Sequence, residues 1–142
     1  MAHKFLEDVA ISDIAFSTSA PSLNKLFSEC AFALEETMAD LKTLRSAKAK
    51  SITIEADLPE KLLYSFLSEL VFLKDSKGLL FKSAKCRVSE SKKGWKLRAQ
   101  LRGEKINRRR HVLRNDVKAV TMHLFKITKT KRGWKATAVL DI

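Results

Sequence analysis

Apolar residues in the stretch "SLNKLFSECAFALEETMADL" recur at helical spacing, with Leu23, Leu26, Phe27, Cys30, Leu34, Met38 and Leu41 on one stripe. Pro21 precedes Ser22, whose short oxygen-bearing side chain suits an N-cap, so a helix is expected to start there and cover an apolar layer. A strand around Ile11 to Phe16 leads into it. The period then changes: Ile52, Ile54 and Ala56 in "SITIEA" alternate as on a strand. Directly afterwards, "DLPEKLLYSFLSELVFL" returns to the helical period with Leu62, Phe66, Leu70 and Leu73 in register. Asp57 and Glu60 have the spacing of a capping box, and Pro59 falls in the first turn, where its missing N–H costs little. Asp57 is therefore read as a helix cap rather than a metal ligand, and Gly78 as a left-handed stop.

From Gly78 onward the chain reads almost entirely with period two. Ala84, Cys86 and Val88 alternate with Ser83, Lys85 and Arg87, and "SKKG" then turns the chain. Trp95, Leu97, Ala99 and Leu101 follow on the inward face, while Lys96, Arg98, Gln100 and Arg102 make a basic ladder outward. A second hairpin repeats the idea in "VKAVTMHLFKIT", the turn "KTKRG", and "WKATAVLDI", so "KKGWK" and "KRGWK" are similar returns. Two helices with apolar stripes and a sheet with one apolar face predict a two-layer α+β fold. Its sheet is mixed or antiparallel, and both helices pack on one face. No Pro/Gly/Ser-rich linker or low-complexity segment interrupts the pattern, so residues 1–142 are expected to form a single domain.

Charge changes the picture more than composition does. Residues 1–71 carry 7 Lys/Arg against 11 Asp/Glu, a net −4, whereas residues 72–142 carry 21 against 5, a net +16. A basic half of that size attracts polyanions through counterion release, which makes RNA or an RNA-bound partner an expected ligand; solvated strand faces are the plainer alternative. Cys30 and Cys86 lack CxxC spacing and adjacent histidine ligands, so both are read as free thiols in a reducing cytoplasm. No apolar run reaches the length of a membrane span and no basic leader precedes one, so a soluble cytoplasmic protein without membrane contact is expected.

Enzyme signatures are few. The chain has no P-loop, no G-x-G-x-x-G, no G-x-S-x-G and no H-E-x-x-H, and His3, His111 and His123 form no close pair suited to a metal. His123, between Met122 and Leu124, is expected to pack or hydrogen-bond within its strand, and a role in the site is the lesser alternative for it. His111 follows "NRRR" and is read as part of a solvated loop, with a phosphate-contacting patch as the alternative. Lys118 reads as an exposed strand lysine, and the final "LDI" as a solvated end. Yet Asp141 lies beside a chain-terminal carboxylate at the end of an apolar strand, an unusual place for two negative charges.

In order along the chain, "FLEDVAISDIAF", "DLPEKLLYSFLSELVFL", "DVKAVTMH" and "WKATAVLDI" resemble the archease family, from about Phe5 to Ile142. The resemblance implies a small α+β protein with no reaction of its own. It implies an activating partner of the GTP-dependent RNA-splicing ligase that joins tRNA halves, promoting guanylylation of the ligase and its multiple turnover. It also implies a metal site, made by the aspartate of an N-terminal H-T-A-D motif and by a C-terminal D-I with its free carboxylate. The matching positions are Asp13, Asp141 and Ile142, and Lys118 matches a lysine implicated in activity. One stretch departs from the family: "DVAIS" between "FLE" and "DIAF" is two residues longer than H-T-A and has no histidine, so Asp8 is an additional candidate carboxylate. Met122 stands where the family often has an aromatic residue.

If the implied acids converge, charges about 5 Å apart repel by roughly 3 kcal/mol at an effective dielectric near 20. A hard divalent cation would remove that penalty, and calcium, which accepts irregular and partly hydrated oxygen coordination, suits the set better than magnesium. The resulting expectation is a calcium-binding activator of an RNA ligase in tRNA splicing or RNA repair. A stand-alone basic RNA-binding module is the alternative. Trp95 and Trp134 weaken it, because both fall on apolar strand faces rather than exposed as stacking platforms. A small metal-dependent hydrolase or nuclease is a third, more remote class.

Overall fold

The computed structural model describes residues 3–6 and 13–142. Two strands, β1 (His3–Leu6) and β2 (Asp13–Ala20), precede the helix α1 (Leu23–Met38). A 3-10 turn (Leu41–Thr43) and the strand β3 (Lys48–Ala56) then lead to α2 (Pro59–Lys77). The remaining strands are β4 (Leu79–Ser91), β5 (Gly94–Lys105), β6 (Ala119–Thr130) and β7 (Gly133–Asp141). Of the strand expected at Ile11 to Phe16, Ile11 and Ser12 lie outside the described residues and the rest belongs to β2. The short β1 was not legible in the sequence: four residues on a sheet edge offer too little alternation to detect.

Ser22 caps α1 as expected, its Oγ accepting from the Lys25 N–H at 3.2 Å. The helix ends at Met38 because Ala39 turns extended and bridges to Leu113, so Leu41 reaches the core from the 3-10 turn rather than from the helical stripe. Asp57 does not cap α2. Leu58 is the N-cap, no side chain bonds the first turn, and Asp57 instead lies 3.5 Å from Lys61, both exposed. Pro59 accounts for the correction: it drives the residue before it out of the helical region, leaving Leu58 extended at φ −133° and moving the boundary past Asp57. Gly78 stops the helix in the left-handed region at φ +63°, and its N–H bonds back to Leu73 and Lys74.

The strands form two antiparallel sheets, ordered β1-β2-β7-β6 and β3-β5-β4. The α+β class matches the reading from the sequence, and the division of the strands between two sheets adds to it. Alternation records which face is apolar but not which strand lies alongside. Each hairpin's returning strand joins the strand that feeds a helix: β5 pairs β3 and β7 pairs β2. The two similar turns thus do the same work, placing Trp95 opposite Ala56 and Trp134 opposite Ala20. At Gly133, φ is +150° and a Cβ would lie 2.2 Å from the Ala20 carbonyl oxygen, so only glycine lets the turn press against the end of β2.

Helix α1 packs mainly on β4 and β2, and α2 on β6 and β3, so both helices bridge the two sheets. One apolar cluster runs between them, including Phe16, Phe27, Phe66, Leu97 and Ala138. Cys30 and Cys86 are buried free thiols within it. Burial pushes both thiols up, Cys86 to about 11, so they stay protonated and act as small apolar groups. Central strand β7 is covered on both faces, with Val139 as deeply buried as Ala138 and Leu140, where alternation had suggested a one-sided strand. Among the described residues no helix is long and apolar enough to cross a membrane.

Candidate functional site

Asp13 opens β2, Asp141 closes β7, and the ladder makes them direct cross-strand partners. Residues so paired project from the same face with Cβ atoms about 4.5–5.5 Å apart. On its other side Asp141 pairs with Ala119 of β6, and the Lys118 N–H donates to the Asp141 carbonyl oxygen at 2.7 Å. Three segments remote in sequence therefore meet at one end of the four-stranded sheet. They are held there by backbone hydrogen bonds rather than by side chains that would otherwise be engaged. Asp13 and Asp141 are half-buried and Lys118 is exposed, so solvent screening brings their mutual repulsion down to roughly 1 kcal/mol. The Ile142 side chain, next in the chain after Asp141, packs against the core.

Lys118 is placed by the loop before it, and the anchors of that loop were not anticipated from the sequence. The buried Lys74 ammonium of α2 donates to Asp116, to Asp75 at 2.7 Å and to the Val117 carbonyl at 2.7 Å. Burial alone would lower its pKa, but the hydrogen bonds to Asp116 and Asp75 outweigh it, so the ammonium is held above its ordinary range. Nearer the start of the loop, His111 is buried rather than solvated or phosphate-facing, which corrects the expectation for it. Its Nδ1 accepts from the Asn107 N–H at 2.9 Å, which places the ring proton on Nε2, facing Glu104 Oε1 at 2.7 Å. Arg110 pairs with the same carboxylate. No pattern exposes such a pairing in advance, because "NRRRH" reads as a uniformly solvated run.

Hydrogen bonds from Arg110, then from His111, hold the Glu104 carboxyl down at about 2. Its contribution to stability is complete above an unfolded value of 4.5 and is lost as pH falls through that value toward 2. Acid unfolding of Glu104→Gln should therefore be less steep over this window than that of the wild-type protein, followed by circular dichroism. Parallel curves would mean that the pairing is not maintained in solution.

His123 is exposed, not packed in its strand. The ladder slips between Thr121 and Lys126, Leu124 takes φ +57°, and Met122 and Leu124 stand more than half exposed. A bulky residue in that region is strained. The strand-like alternation of "TMHLF" conceals the irregularity. Asp141 aligns with Ala119, so His123 sits beyond the ladder step that carries the acids. Asp8 lies outside the described residues.

A cleft of about 380 Å³, with Phe5, Asp13, Thr37 and Asn115 in its lining, opens beside Asp13. Glu36, in the same lining, is already engaged with His3 at 2.9 Å. Among the described residues no three His, Cys, Asp or Glu side chains gather as a metal cage. The donors present, the side-chain carboxylates of Asp13 and Asp141, are hard oxygens of the kind a partly hydrated calcium ion accepts. Thr121, two ladder positions in from Ala119, also has a buried Oγ1 without a hydrogen-bond partner among the described residues.

The sequence profile of the archease protein family matches residues 3–142. Protein archease of Thermococcus kodakarensis is 35% identical over 132 residues, 92% of this chain and 93% of its own length. The protein of the same name from Pyrococcus abyssi is 33% identical over 132 residues with the same coverage of both chains. A solution structure of protein 1598 from Methanobacterium thermoautotrophicum shares the fold at a TM-score of 0.87 and 30% identity, over 99% of this chain and 98% of that one. With the family pattern running through the site-bearing ends of β2 and β7 as well as the helices, this chain belongs to the archease family.

Proposed function

We propose that the protein is an accessory factor that activates a GTP-dependent RNA-splicing ligase, with the bond-forming chemistry left to the ligase. The observation that carries this reading is the meeting of Asp13, Asp141 and Lys118 at one sheet end. Among the described residues that end has two acids and a lysine but no nucleophile paired with a general base, an arrangement suited to completing another protein's charged site. In this reading Asp13, Asp141 and the Ile142 carboxylate hold a divalent cation, calcium by the character of the donors. Lys118 offsets negative charge at the ligase's nucleotide phosphates, which favours guanylylation and renewed turnover. Exposed Met122 and Leu124 on β6, a few residues beyond Lys118, provide apolar surface for a protein contact near it. RNA, as tRNA halves or broken RNA, arrives with the ligase, and the setting is the cytoplasm.

The test is multiple-turnover sealing of an RNA break bearing a 2′,3′-cyclic phosphate, with the cognate ligase and GTP. Added wild-type protein should raise turnover at least about tenfold, a change of about 1.4 kcal/mol in the limiting barrier. Lys118→Ala should lose most of that gain. Sealing indifferent to the wild-type protein would overturn the reading.

A further inference from the structure

We infer that the solvent face of the β3-β5-β4 sheet is a direct RNA-binding surface that grips the phosphodiester backbone without reading bases. It rests on the proposed role only in naming RNA, rather than another polyanion, as the occupant. The three strands turn their apolar residues toward the helices and leave the opposite face open. Lys96, Arg98 and Arg102 project from β5, and Lys85 and Arg87 from β4 beside them. Glu55 is the one acid at an outward position of β3, 3.9 Å from Lys96.

Arg87 and Arg98 are direct cross-strand partners, and among the described residues neither has an acidic group within 4.0 Å. Like charges placed so destabilise a sheet, and an unneutralised pair at its centre makes sense if a ligand supplies the missing negative charge. The other outward residues, Ser51, Thr53, Ser83, Ser89 and Gln100, are short or amide-bearing groups that hydrogen-bond phosphate oxygens and ribose hydroxyls.

From Lys96 to Arg102 the face runs about 20 Å, with same-face residues spaced about 6.8 Å apart, so it accommodates a few successive phosphates. Beside it, a groove of about 720 Å³ between Arg87, Arg98 and Lys85 and the α1 residues Asn24, Lys25 and Glu29 continues the surface over the β4 edge. Glu29 is its acid, opposed by Lys25 one turn earlier on the same helix. No aromatic residue occupies an outward position on any of the three strands, and Trp95 lies half-buried on the core side. Binding therefore has no stacking platform and should be nearly independent of base sequence.

Binding of the full chain alone to a fluorescein-labelled single-stranded RNA, by anisotropy across a salt series, tests this without the ligase. With about four phosphate contacts the slope of log K against log salt should be about −3. The variant Arg87→Gln/Arg98→Gln should bind about tenfold more weakly, with a slope shallower by roughly 1.4. Its melting temperature at low salt should be equal to wild type or higher by about 1–2 °C, because the removed charges repelled each other; this separates lost binding from lost folding. Two base sequences of equal length should bind alike. Unchanged affinity and slope in the variant would overturn the assignment, as would binding to phosphatidylserine vesicles in place of RNA. Failure of ligase stimulation with RNA binding intact would overturn the activator role and leave this surface standing.

Discussion

Glu35→Gln should make the protein more stable than wild type above a pH of about 8 and nearly unchanged at mild acidity. Glu35 lies on the core side of α1 at 2% exposure, and its Oε1 accepts from the Phe81 N–H at 3.1 Å while Oε2 has no partner among the described residues. Its place is set by β4. The ladder slips between Phe81 and Ser83, and the helix carboxyl engages the Phe81 N–H beside that irregularity. Burial pushes the carboxyl up to about 8, opposed only in part by the Phe81 N–H and by Lys74. Between an unfolded value of 4.5 and about 8 the folded chain therefore holds a proton that the unfolded chain has released. Stability must fall with rising pH across that window, by roughly 5 kcal/mol in all at about 1.4 kcal/mol per unit.

Glutamine keeps an acceptor for Phe81 and cannot ionise, so urea unfolding of the variant should be nearly flat with pH while the wild-type midpoint drops. If both drop together, Glu35 is already ionised in the folded protein. Glu35→Leu should also be nearly flat with pH, but about 1–3 kcal/mol less stable than Glu35→Gln throughout because the Phe81 N–H is left unsatisfied.

Glu35 also shows where legibility in the sequence ends. The stripe Leu26, Phe27, Cys30, Leu34 and Met38 located the helix and its buried face, because burial of apolar side chains and the helical period are both local properties. A carboxyl on that same face could be recognised only by knowing that β4 bulges opposite it, which depends on contacts 46 residues away. Glu104 and Lys74 are of the same kind: ordinary charged letters in a basic run or at a helix end, buried only because of a loop that returns from far along the chain. The acidic site was legible in a different way. Period two placed Asp141 at the end of an apolar strand, and the family resemblance supplied Asp13 and Lys118. What joins them is the antiparallel register of β2 and β7 and the bond from Lys118 to Asp141, and no alternation pattern specifies a register between strands more than a hundred residues apart. The strain at Leu124 was hidden for the reverse reason, since a regular alternation of residue types ran through an irregular backbone.

Asp141→Asn should reverse the order of stability between variant and wild type when calcium is added. Without the cation, the substitution removes one of two facing negative charges at a half-exposed sheet end. Relief of at most roughly 1 kcal/mol should raise its melting temperature by up to about 2–4 °C. The backbone bonds that seat the residue, its ladder with Asp13 and the Lys118 N–H to its carbonyl, do not involve the altered side chain and should persist. With calcium present at a hundredfold excess over its dissociation constant, the wild-type protein should gain about 2.7 kcal/mol and the variant little, so that wild type becomes the more stable of the two. The same variant should lose stimulation of RNA sealing by at least about tenfold.

The two measurements separate the roles assigned to the acids. Loss of both effects ties activation to the bound cation. Loss of stimulation with no calcium-dependent stabilisation even in the wild-type protein means that Asp13 and Asp141 meet the ligase directly as carboxylates, and the cation role is wrong. A calcium shift that survives in Asp141→Asn places the ion elsewhere. Full stimulation by the variant removes the sheet end from the mechanism altogether.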